Sequence, residues 1–295
     1  MSKYKVNSES LTAVANAIRA KTGNDEPLEF PDEFVSEIAS ISGGGGYTLD
    51  DIIEHNFTGS VTYTGTNIRG GTFQGSQITE IHLPNITNQL QNAQASHTFR
   101  DCAMLRTIDM PSLTSFTNAG YVFHGCSSLE SAYFHELTAP GSFMFQNCTV
   151  LKYLVMPKVK NLSSNMIAHS NAANQMNLLA LDCGSPDRTG TDNVVFTSNA
   201  FNSEPCQTII IRQTILAQLQ NNNANCLPTN FRSGGAGGTI YIPKALYDHL
   251  GDGTSLDYKA ATNWSVFDTY GTITWAKIEG SQYETHYADG TVIPT

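Results

Sequence analysis

The sequence predicts a predominantly β repeat solenoid of about seven short strands joined by turns, preceded by a small two-helix N-terminal module. Three observations lead there: a motif recurring at fixed offsets, alternating apolar residues where each copy ends, and cysteines spaced by the repeat. In this chain of 295 residues, Phe99, Cys102, Leu105, Ile108, Met110, Pro111 and Leu113 set the pattern. The same offsets from Phe145 give Cys148, Leu151, Leu154, Met156, Pro157 and Val159. From Phe123 they give Cys126, Leu129, Ala132, Phe134, His135 and Leu137. Looser copies lie upstream (Phe73, Ile78, Ile81, Leu83, Pro84, Ile86) and downstream (Leu178, Leu181, Cys183; Cys206, Ile209, Ile211; Ile240, Ile242, Pro243). The copies end at Leu83, Met110, Phe134, Met156, Cys183, Ile211 and Ile242, spaced by 27, 24, 22, 27, 28 and 31 residues.

Each element of the unit has a physical reason. Ile-x-Met alternates with period two, so both apolar side chains face one side of a short strand. Proline after the strand removes a backbone donor and ends the ladder. Phe-x-x-Cys-x-x-Leu has a period of three, which suits a tight 3₁₀-like turn. One copy cannot bury its own Phe, Cys, Leu and Ile, whereas stacked copies make continuous columns of each.

Cys102, Cys126 and Cys148 hold one repeat position, among six cysteines in all. Placement by period rather than by pairing favours free buried thiols. Neighbouring rungs are close enough that a bridge remains sterically possible. There is no Cys-x-x-Cys to suggest zinc.

The first 42 residues differ. Leu11, Val14, Ala15 and Ile18 line one face of an amphipathic helix, and Phe34, Val35, Ile38 and Ile41 line a second that starts at Pro31. Helices this short are marginal alone, so their apolar faces need something to dock on. Gly43 to Gly46 form a flexible joint. Asp50 and Asp51 then start a short helix over 49–55. The expected division is 1–42 as an attachment or oligomerisation module (Leu11, Val14, Ile18, Phe34, Ile38, Ile41) and 43–60 as a glycine linker with an entry helix or cap. The solenoid is expected over 61–250 and a C-terminal cap or hairpin around Trp275 over 251–295.

Composition narrows function. Charged residues make up only 14% and the net charge is −10, with no basic stripe of the kind a nucleic-acid binder needs. No apolar run is long enough to span a membrane, and the polar N-terminus lacks the apolar core of a secretory signal. The chain is therefore expected to be made in a cytoplasm, with no membrane insertion. The histidines form no metal motif, and no Gly-x-Ser-x-Gly elbow appears. Asp252-Gly-Thr-Ser-Leu-Asp257 lacks the ligand spacing of a calcium loop and is expected to be a turn. No enzyme activity, cofactor or metal is expected.

The motif Phe-x-x-Cys-x-x-Leu-x-x-Ile-x-Met-Pro resembles the BspA-like leucine-rich repeats. Ile240-Tyr-Ile-Pro243 with Tyr258-Lys-Ala-Ala-Thr-Asn-Trp264 resembles their closing segment. Asn7-Ser-Glu-Ser-Leu11-Thr-Ala-Val-Ala-Asn-Ala-Ile18, followed by Leu28-Glu-Phe30-Pro, is similar to an N-terminal module of tail and minor structural proteins in phages of Gram-positive bacteria. The resemblance implies a virion component, synthesised in the bacterial cytoplasm, that presents its repeats for host recognition. Its implied partners are other phage tail or baseplate proteins, a host cell-surface polysaccharide or protein, and further copies of itself. BspA-like repeats elsewhere are cell-surface adhesins, which is the alternative; a wall-degrading enzyme is a third.

The surface left for recognition is the outer side of the sheet. The residue between the two inward positions of each strand gives His82, Asp109, Tyr133, Val155, Asp182, Ile210 and Tyr241. A second outward column gives Glu80, Thr107, Ser131, Tyr153, Ala180, Thr208 and Thr239. With rungs ~4.8 Å apart the face is roughly 30 Å across. His82, Asp109, Tyr133, Tyr153 and Tyr241 are the candidate binding residues, against the plainer reading of a solvated sheet face.

Overall fold

The computed structural model describes residues 57–278, apart from 67, 69, 88–96, 117–119, 170–175, 177, 203 and 222–223. The two N-terminal helices with their attachment residues, the glycine joint, the helix over 49–55 and residues 279–295 lie outside the described residues.

Alternation in each repeat produces a strand, and the strands stack into one nine-stranded sheet. In spatial order they are β1 (Gly59–Thr62), β2 (Ile78–His82), β3 (Thr107–Asp109), β4 (Ser131–Tyr133), β5 (Tyr153–Met156), β7 (Leu178–Cys183), β9 (Cys206–Ile211), β11 (Gly238–Pro243) and β12 (Ile273–Ile278). Every neighbouring pair is parallel. The strands skipped in that order, β6 (Asn161–Leu162), β8 (Val195–Phe196) and β10 (Gln218–Leu219), form a second parallel sheet.

The inward columns are the core. Ile81, Ile108, Ala132, Leu154, Leu181, Ile209 and Ile240 are buried, as are the strand-end residues Leu83, Met110, Phe134, Met156, Cys183, Ile211 and Ile242. Each aliphatic side chain in these columns stabilises the fold by about 1.5–3 kcal/mol through burial. Because neighbouring rungs share this core, it is one continuous cluster from Val61 to Phe267.

The period-three segment is the turn that returns the chain. Backbone N–H groups bond three residues back, Cys126 N to Phe123 O at 3.1 Å and Leu129 N to Cys126 O at 3.0 Å. The rungs before and after repeat this. The phenylalanine rings stack face to face, with centroids 5.1 Å apart for Phe73–Phe99, 5.2 Å for Phe99–Phe123 and 5.4 Å for Phe123–Phe145. Each Phe carbonyl has two lone pairs. At Phe99 and Phe123 one accepts the cysteine N–H of its own turn and the other the thiol of the next rung; at Phe73 the N–H of Ser76 takes the first place. Those thiol bonds run Cys102 Sγ to Phe73 O at 2.8 Å, Cys126 to Phe99 at 3.0 Å and Cys148 to Phe123 at 3.1 Å. A small side chain with a weak donor fits this position, which explains cysteine at every matched rung. Gly75, Asp101, Gly125 and Asn147, two residues after each Phe, all have positive φ. Gly, Asp and Asn are the residues that tolerate the left-handed region.

The expected C-terminal cap or hairpin lies partly on 279–295, outside the described residues. After β11 the chain makes α1 (Lys244–Tyr247) and α2 (Trp264–Asp268), then returns as β12 alongside β11 in the parallel sense. A hairpin reverses direction, whereas a long crossover brings the strand back parallel. At the other end the sheet begins with β1 at Gly59. The returning segment also closes the second sheet. Tyr258 Oη accepts Ala217 N–H at 2.8 Å, Trp264 Nε1 donates to Ala217 O at 2.7 Å, and Asn263 Nδ2 donates to Leu219 O at 2.8 Å. These side chains satisfy the free edge of β10, which would otherwise leave buried backbone groups unpaired.

Candidate recognition surface

The ladder holds the outward residues in register. Thr62 pairs with His82, His82 with Asp109, Asp109 with Tyr133 and Tyr133 with Val155. The column continues through Asp182, Ile210, Tyr241 and Ala276. Tyr153 lies two residues before Val155 on β5, beside Ser131 and Ala180. The five candidate residues therefore share one face, supplied by five strands.

That face is not uniformly solvated. Val155, Asp182 and Ile210 are 2%, 1% and 0% exposed, in contrast to the outward, solvent-facing column expected for them. Val155, Ala180 and Ile210 form a small apolar cluster, and Tyr133, Tyr153, Tyr241 and Ile278 lie over it, half-buried. The tyrosines thus have two roles: their rings cover the cluster, and their remaining surface faces outward.

Asp182 lies among these apolar groups and is neutralised by Arg212. The guanidinium Nε contacts both carboxylate oxygens at 3.0 and 2.9 Å, and Nη2 donates to Oδ2 at 2.8 Å. Burial pushes the Asp182 carboxyl above its ordinary range, against the opposing pull of Arg212. Arg212 sits directly after β9, outside every repeated position, so no period marked it.

At the other end of the face His82 Nδ1 donates to Asp109 Oδ2 at 2.6 Å. The second oxygen, Asp109 Oδ1, is enclosed and has no hydrogen-bond partner among the described residues. A half-exposed His–Asp pair beside half-buried tyrosine rings offers donors, acceptors and aromatic surface together, which is the chemistry of a recognition face.

Other titratable groups have structural roles. Glu204, 0% exposed, accepts from His169 Nδ1 at 2.6 Å and from Met176 N at 2.8 Å, and burial pushes its carboxyl up. The Asp252–Asp257 segment is a turn. Asp252 Oδ1 accepts Thr254 N at 2.8 Å, while Asp257 accepts Gly253 N at 3.0 Å and Lys259 N at 2.8 Å. Among the described residues no group of three or more His, Cys, Asp or Glu stands close enough to share a metal ion. All six cysteines are free and buried, and burial pushes the thiols of Cys126, Cys148, Cys183 and Cys206 up, the last to about 12.

A column of stacked Phe, a thiol column and a parallel ladder in register together describe one repeat type. Residues 54–174 match the BspA type leucine-rich repeat region, in 6 copies. The BspA-type match spans β1 to β6, and the stacking geometry continues past it through β7, β9, β11 and β12. The match is to a repeat region and covers less than half of the chain. No curated protein and no solved structure matches the chain. No helix among the described residues is long and apolar enough to cross a membrane.

Proposed function

We propose that this protein is a non-enzymatic recognition protein of a phage tail or baseplate, with its solenoid turned outward to bind a polysaccharide or protein on the host cell surface. The observation that carries the recognition role is the outer face. Five strands of a packed stack hold His82, Asp109, Tyr133, Tyr153 and Tyr241 in fixed register, with aromatic rings half-buried over their own apolar floor. Residues on rigid elements need little ordering when a partner binds, so their contacts convert efficiently into affinity. The acidic net charge of −10 supports a partner other than nucleic acid. The phage setting is supported by the resemblance of residues 1–42 to tail-protein modules, and those residues would attach the solenoid to neighbouring tail proteins or to further copies of itself.

The BspA-type match is equally compatible with a bacterial surface adhesin. One experiment tests the outer face, and a second divides these readings. Replacing Tyr133, Tyr153 and Tyr241 together by serine abolishes binding of the fluorescent protein to host cells if the outer face is the receptor site; retained binding removes it. A chain starting at Tyr47 keeps cell binding but fails to enter phage particles if residues 1–42 are the attachment module. Incorporation at normal copy number contradicts the phage-attachment role.

A further inference from the structure

The second sheet carries a surface of its own. Each of its strands has two described residues, and Leu162, Phe196 and Leu219 go to the core. Asn161, Val195 and Gln218 therefore face away, in register across β6, β8 and β10. A depression of about 510 Å³ lies over these three, bounded by Lys160, Asp192 and Asn193. It shares Asn193 and Gln218 with a depression of about 610 Å³ whose far wall is the C-terminal segment, including Leu256 and Ala261. It shares Lys160 and Asp192 with a third of about 120 Å³ that reaches Thr138 and Arg188. The three make one groove running across the strands, which alone span ~10 Å at ~4.8 Å per rung.

From this lining we infer that the groove binds a neutral oligosaccharide. The side-chain amides of Asn161 and Gln218 are exposed and have no hydrogen-bond partner among the described residues. Each offers donors and an acceptor together, which matches a sugar hydroxyl that both donates and accepts. The charges nearly balance: Lys160 Nζ and Arg188 Nη1 lie 3.1 and 3.8 Å from Asp192 Oδ1, and Lys158 and Asp187 line the same end, so a polyanion gains little net attraction there. Val195, Leu216, Leu256 and Ala261 supply apolar surface for the C–H faces of the rings. Addition of a peptide strand at β10 is blocked, because Tyr258, Trp264 and Asn263 already occupy the backbone groups of that edge. The groove and the outer face of the large sheet are separate surfaces, so either can fail without the other.

The full chain is tested on an array of immobilised neutral and acidic oligosaccharides, and then by titration with the strongest-binding neutral tetrasaccharide. Binding is expected to be the same at low and high salt. Asn161→Ala with Gln218→Ala weakens it by about tenfold or more through the lost hydrogen bonds. Val195→Trp, which fills the groove, abolishes it, and Lys244→Ala, an exposed change away from both surfaces, leaves it unchanged. Melting temperatures at wild-type values confirm that these surface variants fold. The inference is overturned by no neutral binding on the array, by binding only to acidic glycans that salt removes, or by binding that survives both groove changes.

Discussion

Replacing Phe123 by alanine removes a fully buried ring held between two others, with centroids 5.2 Å from Phe99 and 5.4 Å from Phe145. Phe116 and Phe134 also approach it, at 5.9 and 5.8 Å. Truncation of a buried Phe costs about 3–5 kcal/mol. Leucine separates the contributions, because it keeps most of the apolar burial and loses the ring geometry. Each aromatic pair adds ~0.5–1.5 kcal/mol beyond burial, so Phe123→Leu, losing two stacked neighbours, costs about 1–3 kcal/mol. Phe73 stacks on Phe99 alone among the described residues, at 5.1 Å, so Phe73→Leu costs about half as much. Urea unfolding followed by far-ultraviolet circular dichroism measures all three. A Phe123→Leu cost no larger than that of Phe73→Leu refutes the stacked column. So does a Phe123→Ala cost below ~2 kcal/mol, under the range for a buried ring.

Three further outcomes are expected. The six cysteines react with a thiol reagent only after denaturation and without reductant, since all are free and buried; an intact mass lower by two hydrogens per pair in the unreduced protein contradicts this. Trp264→Phe and Tyr258→Phe each orphan a backbone group of Ala217 and cost about 1–3 kcal/mol, with faster amide exchange at 217–219; unchanged exchange there excludes the proposed edge closure. Arg212→Ala leaves the Asp182 carboxylate buried and unpaired, costing about 3–5 kcal/mol at neutral pH. The Asp182 pKa is already raised in the folded state, so the folded form binds the proton more tightly and the penalty is relieved as pH falls through that raised value. A variant that gains nothing relative to wild type on acidification contradicts the burial of that charge.

The register of the repeat strands was legible because each buries its inward face, and a slip of one residue would invert Ile108, Leu154 and Ile209. For the same reason the period-three turns could be read from Phe-x-x-Cys-x-x-Leu alone. The flanking strands were not legible. β1 carries one buried apolar residue, Val61, and β12 has only half-buried and exposed positions, so neither shows a two-residue period against a core. The second sheet was hidden for a related reason, since Asn161–Leu162 is too short to show any period. Outward direction was inferred correctly, but not burial. Alternation says which side of the sheet Val155 and Ile210 occupy. It says nothing about tyrosines from neighbouring rungs leaning over them, or about Arg212 reaching Asp182. The groove depends on Asp192, Asn193 and Leu256, which lie in loops between strands, where no repeated offset reports position.

Both candidate surfaces depend on a single stack that runs from Gly59 to Ile278, well beyond the repeats matched over 54–174. Residue-resolved native-state hydrogen exchange tests this directly. Amides of the ladder on β7, β9 and β11 should exchange as slowly as those on β3, β4 and β5, because all six are interior strands of one sheet. Protection that ends after Met156, with fast exchange through Leu178–Cys183 and Cys206–Ile211, would show that the solenoid stops with the matched repeats and that neither surface exists as described.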